Sequence, residues 1–187
     1  MIVVGGYLAS GKSTFAVRLS EAINVPYFAK DTLKIALCEN ILINNREESS
    51  RFSVVTFDAM MYAAERLLEV GYPVIIEGNF TPAGVKKIDQ AGVIKNLVGK
   101  YNCQLLTFKF MGDTQVLYKR FIERDKTVER GQANMMFVEV SFSDFDKWCH
   151  NLDAFDVGGE IIKIDTTDFI KVDFEGHIEI ARLFIGR

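Results

Sequence analysis

The stretch from Gly6 to Ser13, with the sequence Gly-Tyr-Leu-Ala-Ser-Gly-Lys-Ser, constrains this chain more than any other feature. It fits the pattern G-x-x-x-x-G-K-[ST], which needs a strand before it and a helix after it. An apolar run over residues 2–4 precedes it, and residues 15–19 have the pattern of a helix start. The sequence therefore predicts a strand, a phosphate-binding loop and a helix in this order. The alternative is a glycine turn that caps a helix, with Lys12 merely solvated.

The residue types in this loop suit the binding of a nucleoside triphosphate. Gly6 and Gly11 let the backbone curl so that successive N–H groups face one phosphate. The loop opens a helix, whose free N–H groups and dipole favour negative charge. Lys12 can supply a cation to the β- and γ-phosphates, and the Ser13 hydroxyl can ligate Mg²⁺. The residues predicted to contact the nucleotide here are Gly6, Ala9, Ser10, Gly11, Lys12, Ser13 and Thr14.

Composition and charge narrow the class of protein. The 187 residues are 49% hydrophobic and 25% charged, which is typical of one soluble globular domain spanning residues 1–187. A net charge of −3 gives no general attraction to nucleic acid or to an anionic membrane. The three cysteines form no C-x-x-C pair, which indicates reduced thiols and a cytoplasmic location. The first predicted strand begins at residue 2, so we expect no leader segment, and no apolar run approaches a membrane span.

Predicted strands alternate with predicted helices along the whole chain. The strands lie over residues 2–4, 26–29, 73–77, 104–111 and 160–165. Alternation of this kind is typical of an α/β fold with a parallel sheet covered by helices on both faces. Among the helices, we expect one to begin at Ser49 or Ser50 and another at Thr81-Pro82. We also expect His177 on a solvated face of the last helix.

Polar side chains follow two of the predicted strands, and parallel strands place such residues at the ligand-binding edge of the sheet. Asp31 follows the second strand, where it can cap the next helix and also accept the proton of an attacking hydroxyl. Glu77 ends the third strand and is the candidate ligand of Mg²⁺ or its water. Asn79 is a candidate hydrogen-bond donor or acceptor to the substrate. The alternative for Glu77 is a structural salt bridge, because a buried carboxylate is costly unless it is paired.

Arginines and a polar turn mark the second half of the chain. A helix over residues 114–126 has an increasingly charged end, and Arg130 lies in the segment after it. Arginines in such a place are typical of a lid, here about residues 120–136, that closes over transferring phosphates. The alternative is a solvated helix with ion pairs. Asp165 ends the fifth strand and Thr166 follows it. Both are predicted to border the adenine, with a simple strand-to-loop turn as the alternative.

Five segments together resemble the small P-loop kinases that include zeta-toxin-like kinases, chloramphenicol phosphotransferase and the kinase module of polynucleotide kinases. The segments are Gly6–Thr14, Lys30–Lys34, Val74–Phe80, Arg120–Arg130 and Ile162–Thr167. The resemblance implies a single-domain, three-layer sandwich with five parallel strands in the order 2-3-1-4-5. It also implies phosphoryl transfer from ATP·Mg²⁺ to a hydroxyl, with Asp31 as general base. Lys12 would hold the phosphates, and the lid arginines would be Arg120, Arg124 and Arg130.

Three departures from these relatives leave the acceptor open. Tyr7-Leu8-Ala9 replaces a loop interior rich in Pro and Gly, Glu77 stands where aspartate is more usual, and residues 131–134 lack a histidine- and proline-containing lid sequence. The leading hypothesis is a kinase of a small hydroxylated metabolite, nucleoside or antibiotic-like molecule. A kinase of 5′-hydroxyl nucleic-acid ends is one alternative, although the acidic balance counts against it. A nucleotide-binding regulator or slow NTPase is the other.

Overall fold

Strand β1 (Ile2–Gly6) occupies the centre of a five-stranded sheet, and all five of its residues are buried. The computed structural model describes residues 1–39, 41, 43, 45–82, 88–125 and 139–186. Every pairing is parallel and the strand order is β2-β3-β1-β4-β5, which confirms the predicted fold class and strand order. The remaining strands are β2 (Tyr27–Ala29), β3 (Ile75–Glu77), β4 (Leu106–Met111) and β5 (Glu160–Asp165).

Helices cover both faces of this sheet. Their bounds are α1 (Lys12–Ile23), α2 (Lys30–Cys38), α3 (Arg46–Glu69), α4 (Gln90–Lys100), α5 (Thr114–Asp125), α6 (Phe142–His150) and α7 (Phe174–Ile185). A short 3-10 helix, Phe169–Lys171, precedes α7. Within the described part of the chain, no helix combines the length and apolar character needed to cross a bilayer.

Successive side chains of β1 point into different cores, as the two-residue period of a strand requires. Val3 packs with α3 and α4 on one face, whereas Ile2 and Val4 pack with α1 and α7 on the other. This double burial explains why β1 is continuously apolar. A third apolar cluster joins the loop between β1 and α1 to α5 and α6. Its buried members are Tyr7, Ala9, Leu117, Phe121, Val140, Phe145, Cys149 and Leu152.

Two predicted helix starts are wrong. Helix α3 begins at Arg46 rather than at Ser49 or Ser50, because the side chain of Asn45 accepts a hydrogen bond from the N–H of Glu48 at 2.9 Å. Helix α4 begins at Gln90, where the Asp89 carboxylate accepts from the N–H of Gly92 at 2.9 Å. Residues 81–82 have no regular structure, and residues 83–87 lie outside the described ranges.

The predictions for Asp31 as a cap and His177 as a solvated residue also need correction. Helix α2 begins at Lys30 with Ala29 before it, so Asp31 lies within the first turn rather than at the cap. His177 is half-buried, and its ring packs against that of Phe108 with centroids 6.1 Å apart. Its Nδ1 atom is buried and has no hydrogen-bond partner among the described residues.

Candidate active site

The loop between β1 and α1 has a backbone that depends on its two glycines. Gly6 has φ of 119°, and a Cβ there would lie 2.0 Å from the carbonyl oxygen of Phe110 in β4. Gly11 has φ of 86° and directly precedes α1. Ala9 also lies in the left-handed region, at φ of 56°, which is uncommon for a residue with a side chain. The loop thus turns sharply between the central strand and the first helix.

The carbonyl of Tyr7 is the internal acceptor of this loop. It accepts hydrogen bonds from the Nζ of Lys12 at 2.5 Å and from the Oγ of Ser10 at 2.7 Å. Lys12 is only 6% exposed, and burial lowers the pKa of its ammonium group while the charges of Glu77 and Asp31 oppose that shift. Ser10 and Ala9 are also buried, whereas Ser13 and Thr14 are exposed on the first turn of α1.

Glu77 faces the start of α1 from the end of β3. Its Oε2 accepts a hydrogen bond from the Oγ of Ser13 at 3.2 Å, although only 4% of Glu77 is exposed. Burial raises the pKa of Glu77, the Lys12 ammonium acts against that rise, and the carboxylate of Asp31 adds to it. The sheet therefore brings Lys12, Ser13 and Glu77 together, and their roles toward a nucleotide and a metal stay predictions.

The register of the sheet explains the position of Asp31. Ala29 and Glu77 are paired and end β2 and β3 at one level, opposite Val4 of β1, which continues to Gly6. Asp31 comes two residues after Ala29, and its charge influences the pKa values of both Lys12 and Glu77. Its side chain is exposed at this edge.

Asn79 and two lysines lie beyond Glu77. The Oδ1 of Asn79 is buried without a hydrogen-bond partner in the described part of the chain, and its backbone carbonyl accepts from the Nζ of Lys30 at 3.0 Å. Lys34, one turn further along α2, donates to the Oγ of Ser49 at 2.7 Å. Both lysines are only 5% exposed. Sequence reasoning missed them because lysine is rarely buried, and only their i, i+4 spacing around Asp31 offered a signal.

The lid arginines occupy different places. Arg120 donates through both terminal nitrogens to the carbonyls of Thr166 and Thr167, at 2.6 and 2.8 Å, and its guanidinium lies 4.1 Å from the centroid of the Phe169 ring. Arg124 is exposed near the end of α5, where its charge helps to lower the pKa of Lys12. Arg130 and residues 126–136 of the predicted lid lie outside the described residues.

The turn after β5 lies next to the loop between β1 and α1. Asp165 Oδ1 accepts from the Oγ1 and N–H of Thr167, at 2.6 and 2.8 Å, and these bonds lower the pKa of Asp165. Thr166 is fully buried and donates to the carbonyl of Met111 through its N–H and its Oγ1. A Cβ on Gly11 would lie 2.9 Å from the Phe169 ring. The side chains of Asp165 and Thr166 thus build this turn, and their contact with adenine stays a prediction.

A polar cluster near the end of α6 contacts the loop between β1 and α1. The phenol of Tyr7 donates to Asp153 Oδ1 at 2.5 Å, and His150 Nδ1 lies 2.9 Å from Asp153 Oδ2. The carbonyl of Asp153 accepts from the Nζ of Lys109 at 2.6 Å. No local sequence pattern indicated this cluster, because Tyr7, Lys109 and Asp153 lie far apart in the chain.

Comparison with solved structures supports the fold. A protein from Chloroflexus aurantiacus, provisionally named a kinase, is 21% identical and superposes with a TM-score of 0.85 over 98% of this chain and 96% of its own. The YorR protein of Bacillus subtilis, solved with phosphorylated GDP, is 15% identical, with a TM-score of 0.59 over 100% and 96% of the chains. A gluconokinase from Sinorhizobium meliloti is also 15% identical, with a TM-score of 0.55 over 100% and 91%.

The comparisons by sequence gave a different result. The chain matches no protein-family model, and the search of curated proteins gave no match. At the identities found among the solved structures, the likeness shows that this chain shares an α/β sheet fold with proteins named as kinases.

Proposed function

We propose that this protein is an ATP-dependent kinase that transfers the γ-phosphoryl group of ATP·Mg²⁺ to a hydroxyl of a small molecule. The observation that carries the proposal is the meeting of Lys12, Ser13 and Glu77 at the helix N-terminus after the glycine-rich loop, with Asp31 at the same sheet edge. A phosphoryl-transfer site needs a cation for the phosphates, oxygen ligands for a metal, and a base for the attacking hydroxyl. These four residues supply all three.

The donor set fits Mg²⁺. The Ser13 hydroxyl and the Glu77 carboxylate lie 3.2 Å apart and are hard oxygen ligands. Mg²⁺ is usually held by one or two protein oxygens together with substrate phosphates and waters. When bound, the ion would neutralise charge on the phosphate oxygens. Within the described residues, no group of three or more His, Cys, Asp or Glu side chains could hold a metal by itself.

In the proposed reaction, the acceptor hydroxyl oxygen forms a bond to the γ-phosphorus as its proton passes to the Asp31 carboxylate. The bond between the γ-phosphorus and the β–γ bridging oxygen breaks, which leaves ADP and a phosphorylated acceptor. Asn79 would hydrogen-bond the acceptor through its unpartnered Oδ1. Lys30 and Lys34, both nearly buried beside Asp31 on α2, would border the same space.

The rest of the nucleotide would be held by the loop amides and by the two flanks of the site. The phosphates would be bound by the loop residues Gly6, Ala9, Ser10, Gly11, Lys12, Ser13 and Thr14. Asp165 and Thr166 would border the adenine. Arg124 and Arg130 would stabilise charge on the transferred group, and Arg120 would position the turn that faces the base. The same proposal includes a single domain, a lid over residues 120–136, a cytoplasmic location and membership of the zeta-toxin-like kinase group.

A small acceptor is the form of this proposal that the comparisons favour. The proteins of similar fold include a gluconokinase and a protein named a sugar kinase, whose names specify small hydroxylated substrates. A nucleic-acid 5′-end kinase and a nucleotide-dependent regulator keep the same nucleotide site and differ only in the step after nucleotide binding. The test therefore has to separate the three outcomes.

Transfer of γ-labelled phosphate from ATP·Mg²⁺ to a pool of acceptors tests the proposal. The pool contains nucleosides, sugars and sugar acids, nucleotide sugars, amino-alcohol antibiotics and a 5′-hydroxyl oligonucleotide, and the Lys12→Ala protein is the control. A labelled small molecule that is lost in the control supports the proposal, and deconvolution of the pool identifies its class. Labelled oligonucleotide alone supports the nucleic-acid alternative. Phosphate release at a rate that the pool does not change supports the regulator.

A further inference from the structure

We infer that Asp153 is a positioning residue of the nucleotide site, which acts by holding the phosphate-binding loop through the phenol of Tyr7. The inference rests on the proposed function, because it assigns a role in nucleotide binding to Asp153, which lies outside the loop and does not touch the nucleotide itself.

Tyr7 is held at each of its polar groups. Its N–H donates to the carbonyl of Phe110 at 2.9 Å, which attaches the loop to β4. Its hydroxyl donates to Asp153 Oδ1 at 2.5 Å, which attaches the loop to the segment after α6. Its carbonyl accepts from Lys12 and Ser10 inside the loop. The position of the carbonyl that receives Lys12 is therefore determined by one backbone contact and one side-chain contact.

The Asp153 end of this connection is itself fixed. The Nζ of Lys109, a buried residue of β4, donates to the carbonyls of Asp153 at 2.6 Å and Phe155 at 3.1 Å. His150 Nδ1 lies 2.9 Å from the other carboxylate oxygen of Asp153. Leu152 and Phe155, on either side of this residue in the chain, are almost fully buried. The carboxylate is thus presented to Tyr7 by a rigid segment.

Charge favours the same arrangement. Burial raises the pKa of the Tyr7 phenol, and Asp153 adds to that rise, so the hydroxyl remains a donor. Burial by itself would raise the pKa of Asp153, but hydrogen bonds from Tyr7 and His150 outweigh it and the pKa is lowered. The pair is therefore a neutral donor and an ionised acceptor, which is a stronger hydrogen bond than one between neutral groups.

Nucleotide binding makes this support necessary. Lys12 now donates to the Tyr7 carbonyl, and it must turn away from that carbonyl to reach a phosphate. The loop then loses one of its internal contacts while Ala9 remains in a left-handed conformation that alanine disfavours. The attachments of Tyr7 to Phe110 and Asp153 do not depend on Lys12, so they can hold the loop open for the phosphates. Preorganisation of this kind lowers the ordering cost of binding.

Titration calorimetry with ADP·Mg²⁺, without an acceptor, tests this role on the full-length protein. The variants are Tyr7→Phe, Asp153→Ala and Asp153→Asn, with Tyr101→Phe as the matched control. The phenol of Tyr101 also donates to a carboxylate, at 3.1 Å from Glu65 Oε1. Tyr101 lies at the end of α4 and outside the loop, so it tests the loss of such a bond elsewhere. We expect Tyr7→Phe and Asp153→Ala each to raise the Kd by about five- to tenfold. This is less than the full effect of one charge-assisted hydrogen bond, because the bond acts on the nucleotide only through the loop.

Two further results separate positioning from a merely structural role. Asp153→Asn keeps an oxygen that accepts from Tyr7, so its Kd should stay within about twofold of the wild type. The double variant Tyr7→Phe/Asp153→Ala should be no weaker than either single variant, because both remove the same contact. Tyr101→Phe should change the thermal midpoint without changing the Kd. If Asp153→Ala does not fold, Tyr7→Phe and Asp153→Asn still decide the question.

The opposing outcomes are distinct. If the wild-type protein binds ADP and Tyr7→Phe binds it equally well, or if the two single effects add, the positioning role is wrong and the proposed kinase stands. If the wild-type protein binds no nucleotide, the proposed function fails and this inference fails with it. If ADP binds with the predicted variant pattern but no acceptor is labelled, the positioning role holds and the kinase proposal fails.

Discussion

The ammonium nitrogen of Lys12 lies 2.5 Å from the carbonyl oxygen of Tyr7, within the loop to which both residues belong. Lys12 is almost fully buried there, and burial lowers its pKa. A triphosphate offers this cation several charged oxygens in place of one neutral carbonyl. The exchange favours binding, because hydrogen bonds between ionised groups are the stronger ones.

Replacement of Lys12 should therefore weaken nucleotide binding more than it weakens the fold. We expect Lys12→Met to raise the Kd for ADP·Mg²⁺ by about 10- to 100-fold, the effect of one lost hydrogen bond to a charged group. Titration calorimetry measures this change. Lys95→Met, an exposed lysine of α4, is the matched control and should bind as the wild type does. Equal affinities of the Lys12 variant and the wild type would show that the loop does not use this cation.

Replacement of Asp31 should separate chemistry from binding. Asp31 is exposed at the sheet edge, and its charge acts on both Lys12 and Glu77. Asp31→Asn keeps the shape of the side chain but cannot accept the proton, so the rate of transfer should fall by about 100-fold or more. The Kd for ADP·Mg²⁺ should stay within about threefold, since the nucleotide contacts are intact. The control is Asp58→Asn, which removes an exposed carboxylate of α3. Transfer by Asp31→Asn at a rate near that of the wild type would reject Asp31 as the base.

Much of this arrangement can be predicted from local sequence patterns. The glycine spacing of residues 6–13 predicted the loop, and the alternation of strands and helices predicted the parallel sheet. Glu77 could be placed beside Ser13 because the carboxyl ends of neighbouring parallel strands share one edge. These inferences need only residue order and the period of each element. They do not depend on packing between distant segments.

Contacts between distant segments could not be predicted in the same way. Tyr7 and Asp153 are separated by 146 positions, and nothing local indicates that a phenol in the loop meets a carboxylate after α6. Buried Lys34 contacts Ser49 of α3, and buried Lys30 contacts Asn79 after β3, so both depend on segments that are distant in the chain. The predicted start of α3 was wrong for a local reason. Asn45 and Ser49 can both cap a helix, and the cap is Asn45, whose side chain accepts from the N–H of Glu48.

Arg120 should contribute to stability through the turn after β5. It donates to two backbone carbonyls of that turn and stacks on the Phe169 ring. Lysine can neither span both carbonyls nor stack in the same way, so Arg120→Lys should lower the free energy of unfolding by about 1–3 kcal/mol. Urea denaturation measures the loss. Arg51→Lys, which alters an exposed ion pair with Glu47, should change stability by less than about 0.5 kcal/mol. Equal losses in the two variants would contradict this role.

The two histidines of the chain should affect the pH dependence of stability in opposite directions. Burial lowers the pKa of His177, with partial opposition from Asp173. The hydrogen bond with Asp153 raises the pKa of His150, against a smaller effect of burial. The contribution of His177 to the free energy of unfolding is therefore fully present above about pH 6.5, the pKa of histidine in the unfolded chain. It is lost as the pH falls below that value. The contribution of His150 is present below about pH 6.5 and is lost as the pH rises through its folded pKa.

Urea denaturation at about pH 5.5 and about pH 7.5 tests both assignments. The wild type should lose stability when the pH is lowered from about 7.5 to about 5.5, and His177→Leu should lose less. The leucine can pack against Phe108 without a buried nitrogen. His150→Asn should lose more stability than the wild type when the pH is lowered. The difference should be small, because the side chain of His150 is more than half exposed. The opposite signs make each variant the control for the other. A change of the same sign in both would mean that at least one of the two pKa shifts has been assigned the wrong direction.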